Sequence, residues 1–265
     1  MNYIQIAKES IKYAKEGKYV CQGKVLSFPE ADLESVEVIS PELGKQLLEE
    51  DIKPYETGRD CIYQVVNADS FQAARVMDNA LVMNFANAHV PGGGFLLGAT
   101  AQEEALCRCS TLYASIHSKK AEEMYHYNNT HLSAVESDYM LLSKEVYVYR
   151  DEKCVPLEEP VHVGVITLPA PNRYGAAMLA SLTTIRDTMK RRIRIMLRVA
   201  MKNDYRCLVL GAWGCGAFGN HPGDVAGYFH EILVDEGYGK CFDRICFAIY
   251  GKENGRNIEA FREVF

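Results

Sequence analysis

Apolar residues recur at helical spacing from the start of the chain. Ile4, Ala7, Ile11 and Ala14 fall on one face, and Gly17 is placed to stop the helix. A less regular stretch with two prolines follows over residues 19–42, and then a short helix over 42–49. From Cys61 the pattern changes to compact apolar runs alternating with amphipathic ones. Residues 61–66 read as a strand, Ser70 as the N-cap of a helix through Met77, and 80–85 as a buried strand. A glycine-rich loop leads into a helix expected over 102–117. The tyrosine-rich middle, 119–159, has little periodicity beyond the alternation of Val146-Tyr147-Val148-Tyr149. Residues 161–168 form a strand closed by Pro169 and Pro171. Leu182, Ile185, Met189, Ile193, Met196, Leu197 and Ala200 then make the apolar stripe of a long helix over 176–202. Strand 207–210, a second glycine loop, helix 225–234 and strand 244–250 complete the chain. Strands alternating with helices predict a three-layer α/β/α fold, with helices on both faces of a mixed, mostly parallel sheet. Residues 1–55 fall outside this rhythm. They read as a helical accessory segment packed on a catalytic domain at 56–265, together one structural unit.

Composition adds constraints and no surprises. Of 265 residues, 48% are hydrophobic and 24% charged, as in ordinary globular chains. The start Met1-Asn2-Tyr3-Ile4-Gln5-Ile6 lacks the basic and apolar regions of a secretion signal, and no apolar run reaches the roughly 18 residues of a membrane span. The expectation is a cytoplasmic protein with no membrane partner. Nine cysteines without any Cys-x-x-Cys read as reduced thiols, mostly packed in apolar runs, and Cys107 and Cys109 have no neighbours at zinc spacing. The net charge of −6 argues against holding a polyanion, or a specific nucleic-acid sequence, through a broad positive field. Lys190, Arg191, Arg192, Arg194 and Arg198 form the one basic cluster, which reads as a solvated helix face.

Two loops carry the candidate chemistry. In the first, Gly92-Gly93-Gly94 is followed after a seven-residue gap by Gln102-Glu103-Glu104. Backbone without Cβ lets N–H groups approach an anion, and the carboxylates stand where a helix starts. The second, Gly214-Cys215-Gly216-Ala217-Phe218-Gly219, lies between a strand and a helix, which is the context of a dinucleotide fingerprint. A nicotinamide or flavin oxidoreductase is therefore one reading. Against it, only one further strand follows the loop, and Ile249-Tyr250-Gly251-Lys252 offers no acid for ribose hydroxyls.

The segment Asn84-Phe85-Ala86-Asn87-Ala88-His89-Val90-Pro91, the triple glycine and Gln102-Glu103-Glu104-Ala105-Leu106-Cys107-Arg108 together resemble the catalytic signature of the bacterial-type poly(ADP-ribose) glycohydrolases. The stretch from Leu208 to Pro222 is similar to the diphosphate-binding loop of macrodomains, in the form these enzymes use. The resemblance implies a macrodomain-like fold and hydrolysis of the ribose–ribose bond of poly(ADP-ribose), with ADP-ribose released from chain ends. It implies poly(ADP-ribose), ADP-ribose and ADP-ribosylated proteins as partners, a monomer, and no cofactor.

By the same resemblance Glu104 is the general acid and base, Glu103 fixes ribose hydroxyls or orients its neighbour, and Asn87 meets the distal ribose. Gly92, Gly93, Gly94, Gln102, Gly214, Cys215, Gly216, Ala217, Phe218 and Gly219 complete the substrate contacts. On residues alone, Asn87 reads equally well as a turn residue, Trp213 as core and His221 as part of a turn. Neighbouring helix positions point about 100° apart, so Glu103 and Glu104 are not expected to face one bond. The helix start favours an ionised Glu104 and burial a neutral one, a balance the sequence leaves open. Two further readings stand beside this one: a hydrolase of mono-ADP-ribose on protein or nucleic acid, and a non-catalytic ADP-ribose-binding module, which would need the loops but not the acid. With no metal-ligand spacing in the chain, hydrolysis is expected to survive excess chelator. A tenfold loss under EDTA, restored by magnesium or zinc, would refute that.

Overall fold

A computed structural model describes all 265 residues. Helix α1 (Tyr3–Glu16) starts where the Asn2 side chain accepts the Gln5 N–H and stops at Gly17, in the left-handed conformation with φ 68°. Strands β1 (Lys18–Cys21) and β2 (Lys24–Ser27) form a separate hairpin. It is held down by Tyr19, whose ring packs on Phe28 and Tyr149 and whose hydroxyl donates to the Leu157 carbonyl at 2.8 Å. Next come β3 (Glu37–Ile39), α2 (Pro41–Glu49), β4 (Ile62–Val66), α3 (Ser70–Ala74) and β5 (Ala80–Ala86). Then follow α4 (Gln102–Cys109), α5 (Leu112–Ile116), α6 (Glu122–Thr130), β6 (Met140–Arg150), β7 (Pro156–Pro169), α7 (Leu182–Lys202), β8 (Cys207–Leu210), α8 (Pro222–His230), β9 (Arg244–Ala248) and α9 (Arg256–Arg262).

Seven strands make one sheet in the order β3-β6-β7-β5-β8-β9-β4. Every pair from β7 across to β4 is parallel, while β6 joins β7 and β3 joins β6 antiparallel. This is the mixed, mostly parallel three-layer fold expected. Along β5, Leu81 and Met83 enter the core beneath α7, α8 and α9, while Ala80 and Val82 enter the core beneath α3, α4 and α5. A strand covered on both faces reads as an unbroken apolar run, which is why it was visible in the sequence. Edge strand β3 and α2, which packs on α7, extend the sheet layer into residues 37–49.

Several boundaries differ from expectation, each for a tertiary reason. The helix expected over 102–117 breaks at Ser110 and Thr111, because Thr111 pairs with β6 through its N–H to the Tyr147 carbonyl and its hydroxyl to the Tyr147 N–H. The true N-cap of α3 is Asp69, whose carboxylate accepts the Phe71 and Gln72 N–H groups at 2.8 and 3.0 Å, so Ser70 lies inside the helix. Helix α7 starts at its Ser181 cap, and 176–179 is a single 3₁₀ turn. The aperiodic middle holds the eleven residues of β6, and β7 begins within it at Pro156, ahead of the strand expected over 161–168.

The basic cluster is not a solvated face. Arg192 is fully buried, bonding Asp138 at 2.9 Å and the carbonyls of Pro169 and Val135. Arg191 shares Asp138, Arg194 pairs with Glu236, and Lys190 with Glu231. Arg198 is buried against the Tyr238 hydroxyl. No helix is long and apolar enough to cross a membrane.

Candidate active site

Strands β5 and β8 are parallel neighbours, so the loops that leave their C-terminal ends sit side by side at one edge of the sheet. A cleft of about 890 Å³ opens there. Asn87, Gln102, Glu103 and Glu104 line it from the first loop and α4, and Gly214, Gly216, Ala217 and Phe218 from the second. Gly92, Gly93, Gly94, Cys215 and Gly219 are not in its walls.

The first loop works differently from a phosphate cradle. The Gly94 N–H donates to Glu104 Oε1 at 2.9 Å and the Gly93 N–H to the Val90 carbonyl at 3.0 Å. Both amides are taken within the protein, one by a carboxylate and one by a carbonyl, and are not open to a ligand. Gly93 is required on two counts. Its φ is 54°, and a Cβ would stand 2.6 Å from Glu104 Oε1 and 3.3 Å from Glu103 Oε2.

That same contact corrects the expectation that the two glutamates diverge. Their Cβ directions differ by a helical step, but long flexible side chains bring both carboxylates under Gly93. Their surroundings set them apart. Glu103 is 3% exposed, with Oε2 accepting the Asn87 N–H at 2.8 Å and Oε1 accepting the Asn84 amide at 3.3 Å. Burial pushes its carboxyl up to about 8, and the Glu104 charge adds to this. The Asn87 N–H and the Asn84 amide pull the other way without prevailing. Burial thus favours the protonated form of Glu103. Glu104 keeps one oxygen on the Gly94 N–H, while its Oε2 is buried with no partner in the protein.

The second loop is the open one. Gly219 N–H closes on the Gly216 carbonyl and Asn220 N–H on the Gly214 carbonyl, but the N–H groups of Gly216, Ala217 and Phe218 have no acceptor in the protein. Three successive unpaired amides make a concavity suited to an anion. The Asn220 side chain ties the turn down through the Pro171 and Gly214 carbonyls, and Gly214, at φ 73°, leaves no room there for a side chain. The Cys215 thiol turns toward the Trp213 carbonyl and the core, and burial pushes it up to about 12. Gly219 is a turn residue against the Tyr174 ring. Trp213 is core, as expected.

Gln102 is a brace: its amide accepts the Phe85 N–H and donates to the Met83 carbonyl and the Ser70 hydroxyl. Asn87 fulfils its turn reading, its Oδ1 accepting the His89 and Val90 N–H groups, while the residue still lines the cleft. Sequence reasoning missed Tyr250 and Tyr3, which also line it. Tyr250, 78% exposed directly after a buried strand and before a glycine, was the available signal.

A family model described as the catalytic domain of microbial-type PARG matches residues 7–151. The chain belongs to the microbial-type poly(ADP-ribose) glycohydrolases. It is thus a glycosidase. It superposes on the poly(ADP-ribose) glycohydrolase from Thermomonospora curvata with a TM-score of 0.92 and 34% identity, covering 99% of both chains. The same relative bound to the inhibitor ADP-HPD gives 0.90 over the same coverage. The glycohydrolase from Deinococcus radiodurans in complex with ADP-ribose matches at 35% identity and a TM-score of 0.81, over 90% of this chain and 97% of that one. No curated protein matches this chain. Membership excludes the oxidoreductase reading of the second loop.

The family frame sharpens one expected result. Nothing lies within 4 Å of the position a Gly216 Cβ would take, and the backbone there is unstrained. Gly216→Val should therefore leave the melting temperature unchanged while its branched side chain covers the free amides. Calorimetry should show ADP-ribose binding lost; unchanged affinity would make this loop a mere turn.

Proposed function

We propose that this glycohydrolase cleaves the ribose–ribose O-glycosidic bond of poly(ADP-ribose), with Glu104 as general acid and then general base. The observation that carries the reading is the buried, partnerless Oε2 of Glu104, in one cleft with three unpaired amides. The amides hold the diphosphate of the terminal ADP-ribose, and Phe218 and Tyr250 offer aromatic faces to its ribose and adenine. Glu104 protonates the oxygen of the leaving ribose as the oxocarbenium ion forms, and the ligand's own phosphates, held on the amides, steady that charge. It then takes a proton from the incoming water. Neutral Glu103 adds no second charge beside Glu104 and bridges Asn87 and Asn84. ADP-ribosylated proteins supply the substrate, and the chain acts as a monomer in the cytoplasm.

Cleavage from chain ends is supported by α1, whose Tyr3 lines the cleft and stacks on the Arg108 guanidinium at 4.5 Å, while Ile4 packs against Gly98. The N-terminal segment thus stands at the rim where a continuing polymer would have to pass. Labelled poly(ADP-ribose) should yield ADP-ribose monomers from the first time points. Early free oligomers would contradict end trimming. Activity confined to a mono-ADP-ribosylated protein in the parallel incubation would overturn the polymer as substrate.

A further inference from the structure

Away from Glu104, the cleft wall contains two cysteines that the glycosidase chemistry does not use. Cys109 is the last residue of α4, the helix that begins with Gln102-Glu103-Glu104, and Cys154 lies in the turn between β6 and β7. Both line the cleft. A single acceptor, the Asp151 carbonyl, takes the Cys109 thiol at 3.2 Å and the Cys154 N–H at 2.8 Å, which sets the two residues side by side. The turn cannot swing Cys154 away. The Asp151 carboxylate accepts the Lys153 and Val155 N–H groups at 2.9 and 2.8 Å, and Cys154 is fixed at φ 59°.

We propose that Cys109 and Cys154 form an oxidisable dithiol, converted to a disulfide by peroxide. Position and charge assign the roles. Cys154 is half-buried and lines the cleft together with Arg108 and Arg150, whose positive charges reach it. The neighbouring Cys109 thiol and these two charges outweigh burial and bring the Cys154 thiol down to about 7. Burial instead pushes up the thiols of Cys61, Cys107, Cys207, Cys215, Cys241 and Cys246. The Cys109 thiol is raised by its neighbour Cys154 and by burial, which makes it the resolving partner.

The Cys154 thiolate attacks one peroxide oxygen. The S–O bond forms as the O–O bond breaks, and hydroxide leaves, giving a sulfenic acid. The Cys109 sulfur then attacks the Cys154 sulfur. The S–S bond forms as the S–O bond breaks, and the hydroxyl leaves as water with the Cys109 proton. Two thiols lose two electrons and one peroxide becomes two waters. The product ties the far end of α4 to the β6–β7 turn.

The test is limited hydrogen peroxide on the reduced protein, followed by thiol counting and peptide mapping. All nine cysteines start free, and two thiols should disappear first, as a Cys109–Cys154 cross-link that dithiothreitol reverses. Cys109→Ser should stop at a sulfenic acid on Cys154 that dimedone traps. Cys154→Ser should keep its eight thiols at the dose that oxidises the parent. First loss of a different pair, or oxidation of Cys154→Ser as fast as the parent, would overturn the proposal. The mapping on unmodified protein stands even if a variant fails to fold.

Discussion

Glu104→Gln should lower the single-turnover rate of poly(ADP-ribose) hydrolysis by roughly 10²–10⁴-fold, the usual cost of losing general acid–base help. The amide keeps the shape of the side chain, and its oxygen can still accept the Gly94 N–H that now holds Oε1. It can neither donate a proton to a leaving ribose nor accept one from water. The proposed anion site is the unpaired amides of Gly216, Ala217 and Phe218, which the change does not touch, so calorimetric affinity for ADP-ribose should stay within a few-fold. Glu103→Gln should cost less. Its neighbour Asn84 has an Oδ1 without a partner, and by turning its amide can offer that oxygen to the new NH₂ group. Full activity in Glu104→Gln would remove it as the acid, and a larger loss in Glu103→Gln would transfer the role.

Asp138→Ala should be the most destabilising single change outside the cleft. It would leave the guanidinium of Arg192, with no exposed side chain, facing two carbonyls and no counter-charge. Removing one partner of a buried pair costs about 3–5 kcal/mol. At about 2–4 °C per kcal/mol for a domain approaching this size, the melting temperature should fall by roughly 10 °C. Arg194→Ala, which breaks the more exposed pair with Glu236, should cost under about 1 kcal/mol.

The acid side of the stability curve reports the same group. Burial alone would raise the Asp138 carboxyl, but the hydrogen bond from Arg191 and the Arg192 charge hold it below the ordinary carboxylate value. Its contribution is therefore complete above the unfolded value of about 3.9 and is lost as pH falls through the lower native one. The Asp138→Ala deficit should shrink in that range. A constant deficit from pH 7 to pH 2, or a shift no larger than that of Arg194→Ala, would show that the pair contributes little.

What the sequence revealed was local. The strand around Leu81–Phe85 showed itself because both its faces are buried, and the two loops because glycines cluster where a strand gives way to a helix. Non-local partners were hidden. Arg192 looked solvated because Asp138 is far away in the chain. The eleven residues of β6 showed only at Val146–Tyr149, since Lys144 and Glu145 interrupt the alternation and the register with β7 shifts between Ser143 and Val146. In the site, the motif located both glutamates, but only the structure separates them, because the difference lies in which backbone amides each one meets. It also narrows the job of the first loop: the triple glycine serves the carboxylates, and only the other loop keeps the free amides expected of an anion site.

The pairing of β5 with β8 has a consequence for how substrate range could change. Strands in a ladder stand about 4.8 Å apart and cannot be stretched without breaking their hydrogen bonds. The catalytic loop and the anion loop spring from these two strands, so the sheet acts as a caliper of fixed gauge. Core substitutions beneath it alter how firmly the gauge is set without altering its width. A new preference has to come from exchanging a whole loop, with its length and its glycines, on an unchanged pair of strands.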